Sequence, residues 1–316
     1  MGITLYKNAD WILTMNEKRE KFRHGDLLIS GKEILDVGND LEKKYAGKLQ
    51  IDKIINAKGT VILPGFVNVH HHTWQSLIRN IQATRGLKLE PWLTVMYEIY
   101  KDLNTDVARA GVYSGLGDML KTGCTTSNDL WYPHPIGVKY LVDAEIEAAA
   151  EIGIRFHPTR GFHSVPSDIV PPEVVDTKES VTEDTIRLVK KYHDRSRFSM
   201  CQVGIAPSIA QYETEDIIEA VVDLAEEYDI MVHGHLAESQ HEVEYTLKTW
   251  GCRPFEWFKR HRLLGKRFYF AHCIHLNEEE IEQMAETGTG VAHCPISNML
   301  LSSGACPVPS YLKRGL

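Results

Sequence analysis

The sequence lacks three features that would each place it in a distinct class of protein. No apolar run approaches the roughly 20 residues of a membrane-spanning helix, and residues 1–6 lack the apolar segment of a secretory signal. The six cysteines form no CxxC pair, which argues against a zinc ribbon and against a disulfide scaffold. Basic residues are not in excess, since the formal net charge is −8. We therefore expect a cytoplasmic protein with reduced cysteines that binds neither membranes nor nucleic acid.

The chain does have the length and composition of a globular enzyme. Of its 316 residues, 43% are hydrophobic and 25% are charged. One barrel of about 250 residues plus a small accessory region would fit that length. Before residue 64, short β-type runs alternate with turns, and after it strand runs alternate with helix-length amphipathic segments. We predict a small β domain of sandwich type, without helices, in residues 1–63 and a (β/α) barrel in residues 64–316.

The barrel region contains seven strand candidates, each followed by a helical pattern. They are residues 66–69, 124–127, 154–157, 203–206, 230–233, 268–271 and 290–293. Residues 309–315 predict a short helix and turn, and no eighth strand follows before Leu316. The predicted fold class is therefore α/β, a (β/α)8 TIM-type barrel truncated before strand 8. A proline-rich and valine-rich stretch at residues 163–176 fits a substrate-covering lid and an ordinary insertion loop equally well.

Histidines carry the functional signal, because eight of the fifteen lie at or just beyond predicted strand ends, where barrel enzymes assemble their active sites. Side chains two apart in an extended segment point the same way, so His70 and His72 can bind one ion while His71 faces away. The triplet alone fits a structural cluster equally well. The later histidines favour a metal site; these eight are His70, His71, His72, His233, His235, His272, His275 and His293.

A second histidine pair, His233 and His235, is followed three residues later by Glu238. Catalytic zinc sites usually have three protein ligands and one open position for water, and a nearby carboxylate can accept and return protons. A carboxylate that stabilises a helix N-terminus is the alternative for Glu238. His272 and His293 end the next two strands and can contact a substrate or the attacking water.

Several motifs together resemble the amidohydrolase superfamily, in its branch of cytosine, S-adenosylhomocysteine and 8-oxoguanine deaminases and hydroxyatrazine aminohydrolase, most closely the 8-oxoguanine deaminase-like members. The resemblance covers residues 1–316. Its motifs are Pro64-Gly65-Phe66-Val67-Asn68-Val69-His70-His71-His72, Gly123-Cys124-Thr125-Thr126, Arg155-Phe156-His157, His235-Leu236-Ala237-Glu238, Ala271-His272-Cys273 and Gly288-Thr289-Gly290-Val291-Ala292-His293-Cys294-Pro295.

The resemblance implies a role for each matching residue. His70, His72 and His235 bind the metal, Glu238 shuttles protons to the ring and the leaving group, and His272 orients the hydrolytic water. The substrate contacts it implies are Gln75 and Arg160, and we expect His293 to be a further one. For Arg160, an ion pair with a carboxylate at the barrel rim is an equally good interpretation.

The sequence departs from the family pattern at three places. The family's remaining metal ligand and base is an Asp on the eighth strand, and the chain ends before such a segment. The fourth strand, residues 204–207, has no Lys that could bridge two metals, which favours one ion. Zinc is the expected metal, with iron or manganese also compatible with such ligands. Residues 208–212 differ from relatives, which leaves the substrate open.

Three functions follow from these observations. The preferred one is hydrolytic deamination of an aminated N-heterocycle, an 8-oxoguanine-like purine, by water activated at the metal. An s-triazine amino- or chlorohydrolase is the chemically adjacent alternative. A catalytically incomplete fragment or binding module is the alternative from another class. The expected partners are a small heterocyclic substrate and water, and the sequence leaves homo-oligomerisation open.

Overall fold

The computed structural model describes residues 2–316, and the chain divides into two units. One contains the residues up to Phe66 together with Ser196–Phe198, and the other contains Val67–Arg195 and Ser199–Leu316. No helix among residues 2–316 is both long enough and apolar enough to cross a membrane. All six cysteines are unpaired thiols.

The first unit is built on one five-stranded sheet. Its strands are β1 (Ile3–Leu13), β2 (Lys21–Ser30), β3 (Glu33–Gly38), β4 (Lys53–Asn56) and β5 (Val61–Ile62). The order is β3-β2-β1-β4, with β5 also paired to β1; β1–β2 and β2–β3 are antiparallel, and β4 and β5 run parallel to β1. The second sheet that a sandwich requires is not found within residues 2–66.

This unit also contains a helix, so the prediction that it has none is wrong. Helix α1 (Leu41–Tyr45) is short, and it forms because Leu41 is buried against Leu5 and Leu28. Its first backbone N–H donates to the buried Asp26 carboxylate over 3.0 Å. One apolar position and one tertiary hydrogen bond are too weak a local pattern to be recognised as a helix in the sequence.

The second unit is an α/β structure around seven parallel strands. They are β6 (Phe66–Asn68), β7 (Cys124–Trp131), β8 (Arg155–Phe162), β9 (Gly204–Pro207), β10 (Val232–Leu236), β11 (Phe268–His272) and β12 (Gly290–Ala292). The order follows the sequence from β6 to β12. All seven predicted strands are confirmed. Within residues 2–316 the sheet ends at β6 on one side and at β12 on the other, so the described chain supplies no eighth strand.

Helices follow every strand of this sheet, as the alternating pattern predicts. They are α2 (Leu89–Tyr100), α3 (Thr105–Lys121), α4 (Leu141–Ile152), α5 (Lys178–Tyr192), α6 (Glu215–Tyr228), α7 (Gln240–Trp250), α8 (Pro254–Arg260), α9 (Glu278–Thr287), α10 (Pro295–Leu300) and α11 (Val308–Lys313). The predicted capping box is confirmed, because Asn277 and Glu280 exchange hydrogen bonds at the start of α9. Gly153 and Gly288 end α4 and α9 in left-handed conformations, as expected for helix C-termini.

Candidate metal and catalytic site

Histidine side chains from distant strands meet at the carboxyl edge of the parallel sheet. His70 lies two residues beyond β6, and His235 lies within β10. Neighbouring strands are about 4.8 Å apart, so a flat sheet would separate β6 from β10 by roughly 19 Å. The ring centroids of His70 and His235 are only 5.0 Å apart. The sheet is therefore strongly curled, and the curvature itself brings these rings together.

Two of the rings point unprotonated nitrogens at each other. His72 Nδ1 donates to the Leu130 carbonyl over 2.7 Å, and His235 Nδ1 donates to the Ser208 carbonyl over 2.7 Å. A carbonyl oxygen only accepts, so each neutral ring keeps its proton on Nδ1. Both Nε2 atoms then carry lone pairs, yet they lie 3.3 Å apart. Two facing lone pairs repel unless a cation lies between them.

The third ring, His70, is fixed by another histidine. His233 Nδ1 donates to the Tyr269 carbonyl over 2.9 Å, so His233 Nε2 must accept. His70 Nδ1 lies 2.8 Å from that atom and donates to it. The Nε2 of His70 is therefore also unprotonated. Outer partners of this kind orient metal-binding imidazoles and raise their basicity.

The three side chains fit a divalent metal ion. One ring nitrogen each of His70, His72 and His235 lies within 4.8 Å of the others. Burial, followed by the neighbouring rings, lowers the pKa of His70 and His72 far below the usual value and that of His235 to about 3, so the rings stay neutral. Neutral imidazole is the form that binds metal. His70, His272 and Cys294 form a second possible grouping, which shares His70 with the first.

Glu238 lies beside this cluster and is itself buried. Its Oε2 is 3.4 Å from His272 Nε2, and His272 Nδ1 lies 2.8 Å from Asn298 Oδ1 and donates to it. Burial, with a smaller contribution from Glu90, raises the pKa of Glu238 to about 8. A carboxyl group with that pKa can give or take a proton near neutral pH.

The chain next to Glu238 and at His272 has an unusual backbone conformation. Ala237, His272 and Cys273 have positive φ angles of 49°, 70° and 47°. Such angles are uncommon outside glycine and cluster at functional sites. Glu242 at the start of α7 stabilises one of these turns, because its carboxylate accepts the backbone N–H groups of Ala237 and Glu238 over 3.0 and 2.8 Å.

Aromatic side chains form a wall beside the histidine cluster. The Tyr132 ring lies 5.1 Å from that of His72 and 6.2 Å from that of His235, and the Trp74 ring lies 5.2 Å from that of His72. Tyr100 packs on both Trp74 and Tyr132. Flat, apolar surfaces of this kind suit a flat heterocyclic ring.

The remaining predicted site residues are held by other partners or are exposed. Gln75 Nε2 donates to the Tyr100 hydroxyl over 3.0 Å, behind the aromatic wall. His293 follows β12 and is exposed. Of the other histidines, His71 faces Asp129, with 4.0 Å between Nδ1 and Oδ1, and His275 is hydrogen-bonded to the Ser303 carbonyl.

Arg160 has an arrangement of its own. It is buried, its Nε is 2.9 Å from Asp184, and both terminal nitrogens are 3.0 Å from the Asp176 carboxylate. This geometry matches the predicted alternative in which Arg160 forms an ion pair with carboxylates, here those of Asp176 and Asp184. Substrate binding by Arg160 therefore stays a prediction that no contact in the structure favours.

Three residues with a defined role in this geometry were not assigned one from the sequence. His233 orients His70, Asn298 orients His272, and Glu242 holds the turn that carries Glu238. His233 had a detectable signal, since it lies two residues before His235 and thus on the same face of β10. Glu242 lies one helical turn after Glu238, which is a weaker signal.

The fold and this geometry together place a histidine cluster that could hold a divalent metal ion at the carboxyl edge of a parallel α/β sheet. Comparison with known proteins makes the family specific. The model of the amidohydrolase family matches residues 61–316, and the chain belongs to this family.

Relatives and a solved structure agree with that assignment. The chain is 35% identical over 255 residues to 8-oxoguanine deaminase of Pseudomonas aeruginosa, covering 80% of this chain and 57% of that protein. It is 28% identical over 326 residues to hydroxydechloroatrazine ethylaminohydrolase of a Pseudomonas species, covering 100% and 67%. The crystal structure of atrazine chlorohydrolase from Arthrobacter aurescens TC1, complexed with zinc, superposes with a TM-score of 0.91 at 25% identity, covering 99% of this chain and 70% of that one.

Proposed function

We propose that this chain carries the metal site of a hydrolase that removes an amino group from a nitrogen heterocycle, with an 8-oxoguanine-like purine as the preferred substrate. The observation that carries the proposal is the convergence of three unprotonated imidazole nitrogens, from His70, His72 and His235, beside the buried Glu238. The chain spans 57% of the length of one curated relative and 67% of another, so the activity of the whole protein is part of this proposal.

The three histidines would hold one divalent ion, for which zinc is our choice because the superposed atrazine chlorohydrolase structure contains zinc. Such an ion supplies Lewis acidity and lowers the pKa of a water molecule to about 7. Glu238 accepts the proton released by the attacking water and delivers it to a ring nitrogen and then to the leaving amine. His272, held by Asn298, keeps its Nε2 directed at Glu238 and helps position the water.

The substrate class is proposed from the aromatic wall and from the relatives. Tyr132 places an aromatic ring next to the proposed metal ligands, backed by the buried Trp74, which suits a planar ring rather than a flexible chain. The relative with the higher identity of the two acts, by its name, on 8-oxoguanine. A second candidate is a triazine amino- or chlorohydrolase, which the hydroxydechloroatrazine relative and the atrazine chlorohydrolase structure favour.

We also propose that β6–β12 belong to a (β/α)8 barrel. The strands are all parallel, follow each other in sequence order and alternate with helices. The curl that brings His70 within 5.0 Å of His235 supports closure rather than an open, flat sheet. This barrel would place the metal site at its carboxyl end, where enzymes of this architecture have their active sites.

The test is a side-by-side turnover assay of the zinc-loaded protein with an aminated purine and with an amino- or chloro-substituted triazine. We expect ammonia release from the purine and a loss of at least about 100-fold in Glu238→Gln, because general acid–base groups contribute about 10² to 10⁴ in rate. Glu244→Gln is the matched control, since this exposed carboxylate lies on α7 away from the ligands. Unchanged turnover in Glu238→Gln would reject the proton shuttle, and stoichiometric zinc binding without turnover would favour a binding module.

A further inference from the structure

A pair of buried carboxyl groups lies beneath the His70–His72 segment and takes no part in the proposed chemistry. Asp129 lies on β7 and Glu145 on α4, and both side chains have 0% exposure. The two groups lie close enough that each affects the pKa of the other. Burying two adjacent acidic groups is costly, so their presence calls for a physical reason.

Both carboxyl groups bind the same residue, Thr73, which directly follows the metal-binding segment. The Thr73 backbone N–H donates to Asp129 Oδ1 over 2.5 Å, and the Thr73 hydroxyl donates to Glu145 Oε1. One oxygen of each carboxyl group, Asp129 Oδ1 and Glu145 Oε1, therefore accepts a hydrogen bond. The other two, Asp129 Oδ2 and Glu145 Oε2, receive no N–H or O–H from any residue in the described range 2–316.

A shared proton resolves this arrangement. Two ionised carboxylates in contact would repel each other strongly inside the protein. His71 Nδ1 lies 4.0 Å from Asp129 Oδ1, beyond hydrogen-bond distance, so it does not neutralise the pair through a hydrogen bond. One proton between Oδ2 and Oε2 satisfies both oxygens at once and leaves a single negative charge for the pair. Burial also raises the pKa of both carboxyl groups, which agrees with a retained proton.

The pair is connected to the metal ligands through the end of β7. The Leu130 backbone N–H donates to the His71 carbonyl over 2.9 Å, and the Leu130 carbonyl accepts from His72 Nδ1 over 2.7 Å. Together with the Thr73 bond to Asp129, residues 129 and 130 hold three consecutive residues, 71–73. Glu145 adds a fourth contact from α4 through the Thr73 hydroxyl.

We infer that Asp129 and Glu145 form a proton-sharing carboxyl pair that positions the His70–His72 segment for metal binding. The inference rests on the metal site in the proposed function. Neither residue touches the reacting atoms, so both are positioning residues. An amide can replace the protonated member, because its oxygen accepts from Thr73 while its N–H donates to the remaining carboxylate.

The first test measures the zinc dissociation constant of the purified chain by competition with a chromophoric chelator. We expect Glu145→Leu to weaken zinc binding about 10- to 100-fold, as loss of an outer partner does, and Glu145→Gln to stay within about threefold of the unchanged protein. Glu147→Leu is the matched control, since Glu147 lies on the same helix but pairs with Arg109. If Glu145→Leu does not fold, Thr73→Val removes the same hydroxyl contact and is expected to weaken zinc binding in the same way.

The second test detects the shared proton by infrared difference spectroscopy. We expect the carbonyl band of a protonated carboxyl group to disappear in both Asp129→Asn and Glu145→Gln and to persist in Glu147→Gln. Equal zinc affinities of Glu145→Leu and the unchanged protein would overturn the positioning role. Zinc binding as weak in Glu145→Gln as in Glu145→Leu, or an unchanged infrared band, would overturn the shared proton. Neither measurement needs turnover, so both remain informative if the proposed activity is absent.

Discussion

Single side chains set the charge and direction of this site through their hydrogen-bond partners. His70, His72 and His235 each donate from Nδ1, to His233 or to a backbone carbonyl, and so keep Nε2 available. The carbonyl acceptors cannot be removed by a side-chain substitution. The His233 acceptor can be removed by substitution. Its removal therefore tests how much these hydrogen-bond partners contribute to zinc affinity.

Replacing His233 tests this orientation directly. In His233→Ala the Nδ1 of His70 loses its acceptor, and we expect zinc affinity to fall about 10- to 100-fold, measured by chelator competition. His233→Gln keeps an oxygen near the position of Nε2 and is expected to lose less. His275→Ala is the control, because His275 is hydrogen-bonded to the Ser303 carbonyl instead. Equal affinities for all three variants would show that His70 needs no partner.

The raised pKa of Glu238 predicts a pH-dependent stability difference in the metal-free protein. Folding raises this pKa from its ordinary value of 4.5 to about 8, so the folded state binds more protons than the unfolded state between these values. The contribution is fully present below pH 4.5 and is lost as the pH rises through the folded pKa. Relative to the unchanged protein, Glu238→Gln should gain stability with rising pH, by at most about 1.4 kcal/mol per pH unit.

Urea unfolding of both metal-free proteins at several pH values measures this difference. The gain should level off above pH 8, once Glu238 is ionised in both states. A difference in unfolding free energy that stays constant with pH would contradict the raised pKa.

At this scale the sequence predicts which imidazoles belong together but not what orients them. The pairing of His70 with His72 follows from side-chain alternation in an extended segment, a local rule, and His235 follows from its position at a strand end. The partners Leu130 and Ser208 act through backbone carbonyls, which every residue type has. Their identity in the sequence therefore does not indicate this role. Asn298 is 26 residues from His272, and only the packing of α10 brings the two together.

Among the secondary structure elements, helix α3 supports the segment that carries His70 and His72 by packing closely against Thr73. A Cβ atom on Gly111 would lie 3.0 Å from the Thr73 backbone, tighter than most real contacts. Thr73 is the residue that Asp129 and Glu145 hold. The absence of a side chain at position 111 therefore lets α3 pack directly beneath the segment.

Alanine substitutions at two glycines of this helix should have opposite effects. Gly111→Ala must push α3 away from Thr73, and we expect it to cost about 1–3 kcal/mol of unfolding free energy and to weaken zinc binding. At Gly117, also on α3, an added Cβ meets nothing within 4 Å. Gly117→Ala should instead stabilise the helix by up to about 1 kcal/mol. Thermal or urea unfolding of both variants checks this, and destabilisation of both would reject the packing argument.

Element boundaries were less predictable than element identity. Strands β7 and β8 continue to Trp131 and Phe162, well past the ends predicted from their apolar runs. Asn128 and Asp129 are residue types that favour turns, yet both are buried in the strand. Hydrogen bonds to the His157 carbonyl and from the Thr73 N–H hold them there. The stretch at residues 163–176 packs through the buried Val170 and Val174, and Asp176 N–H donates to the His163 carbonyl over 2.7 Å. That packing favours an insertion loop over a mobile lid.

At the scale of the whole molecule, apolar side chains are exposed near both ends of the parallel sheet. Phe66 and Val67 on β6 are 60% and 62% exposed. Met299 and Leu300 on α10, which follows β12, are 71% and 72% exposed. Large exposed apolar side chains and end strands of this kind recruit other chains.

We therefore expect residues 1–316, expressed as such, to self-associate as concentration rises. Leu300→Glu should lower the weight-average mass found by sedimentation at a given concentration. Ile136→Glu is the control, because Ile136 is equally exposed at 73% but lies in the segment between β7 and α4, on neither an end strand nor α10. A chain that stays monomeric at high concentration would argue against this expectation.

The proposed metal ligands also join parts of the chain that are far apart. His72 and His235 are separated by 163 positions; His72 follows the end strand β6, and His235 lies in the interior strand β10. An ion bound between them would act as a reversible cross-link around a very long loop, and its binding free energy would add to that of folding. Because the ligands meet only after the sheet has curled, capture of the ion should be a late step in folding. Its removal by a chelator should first release β6.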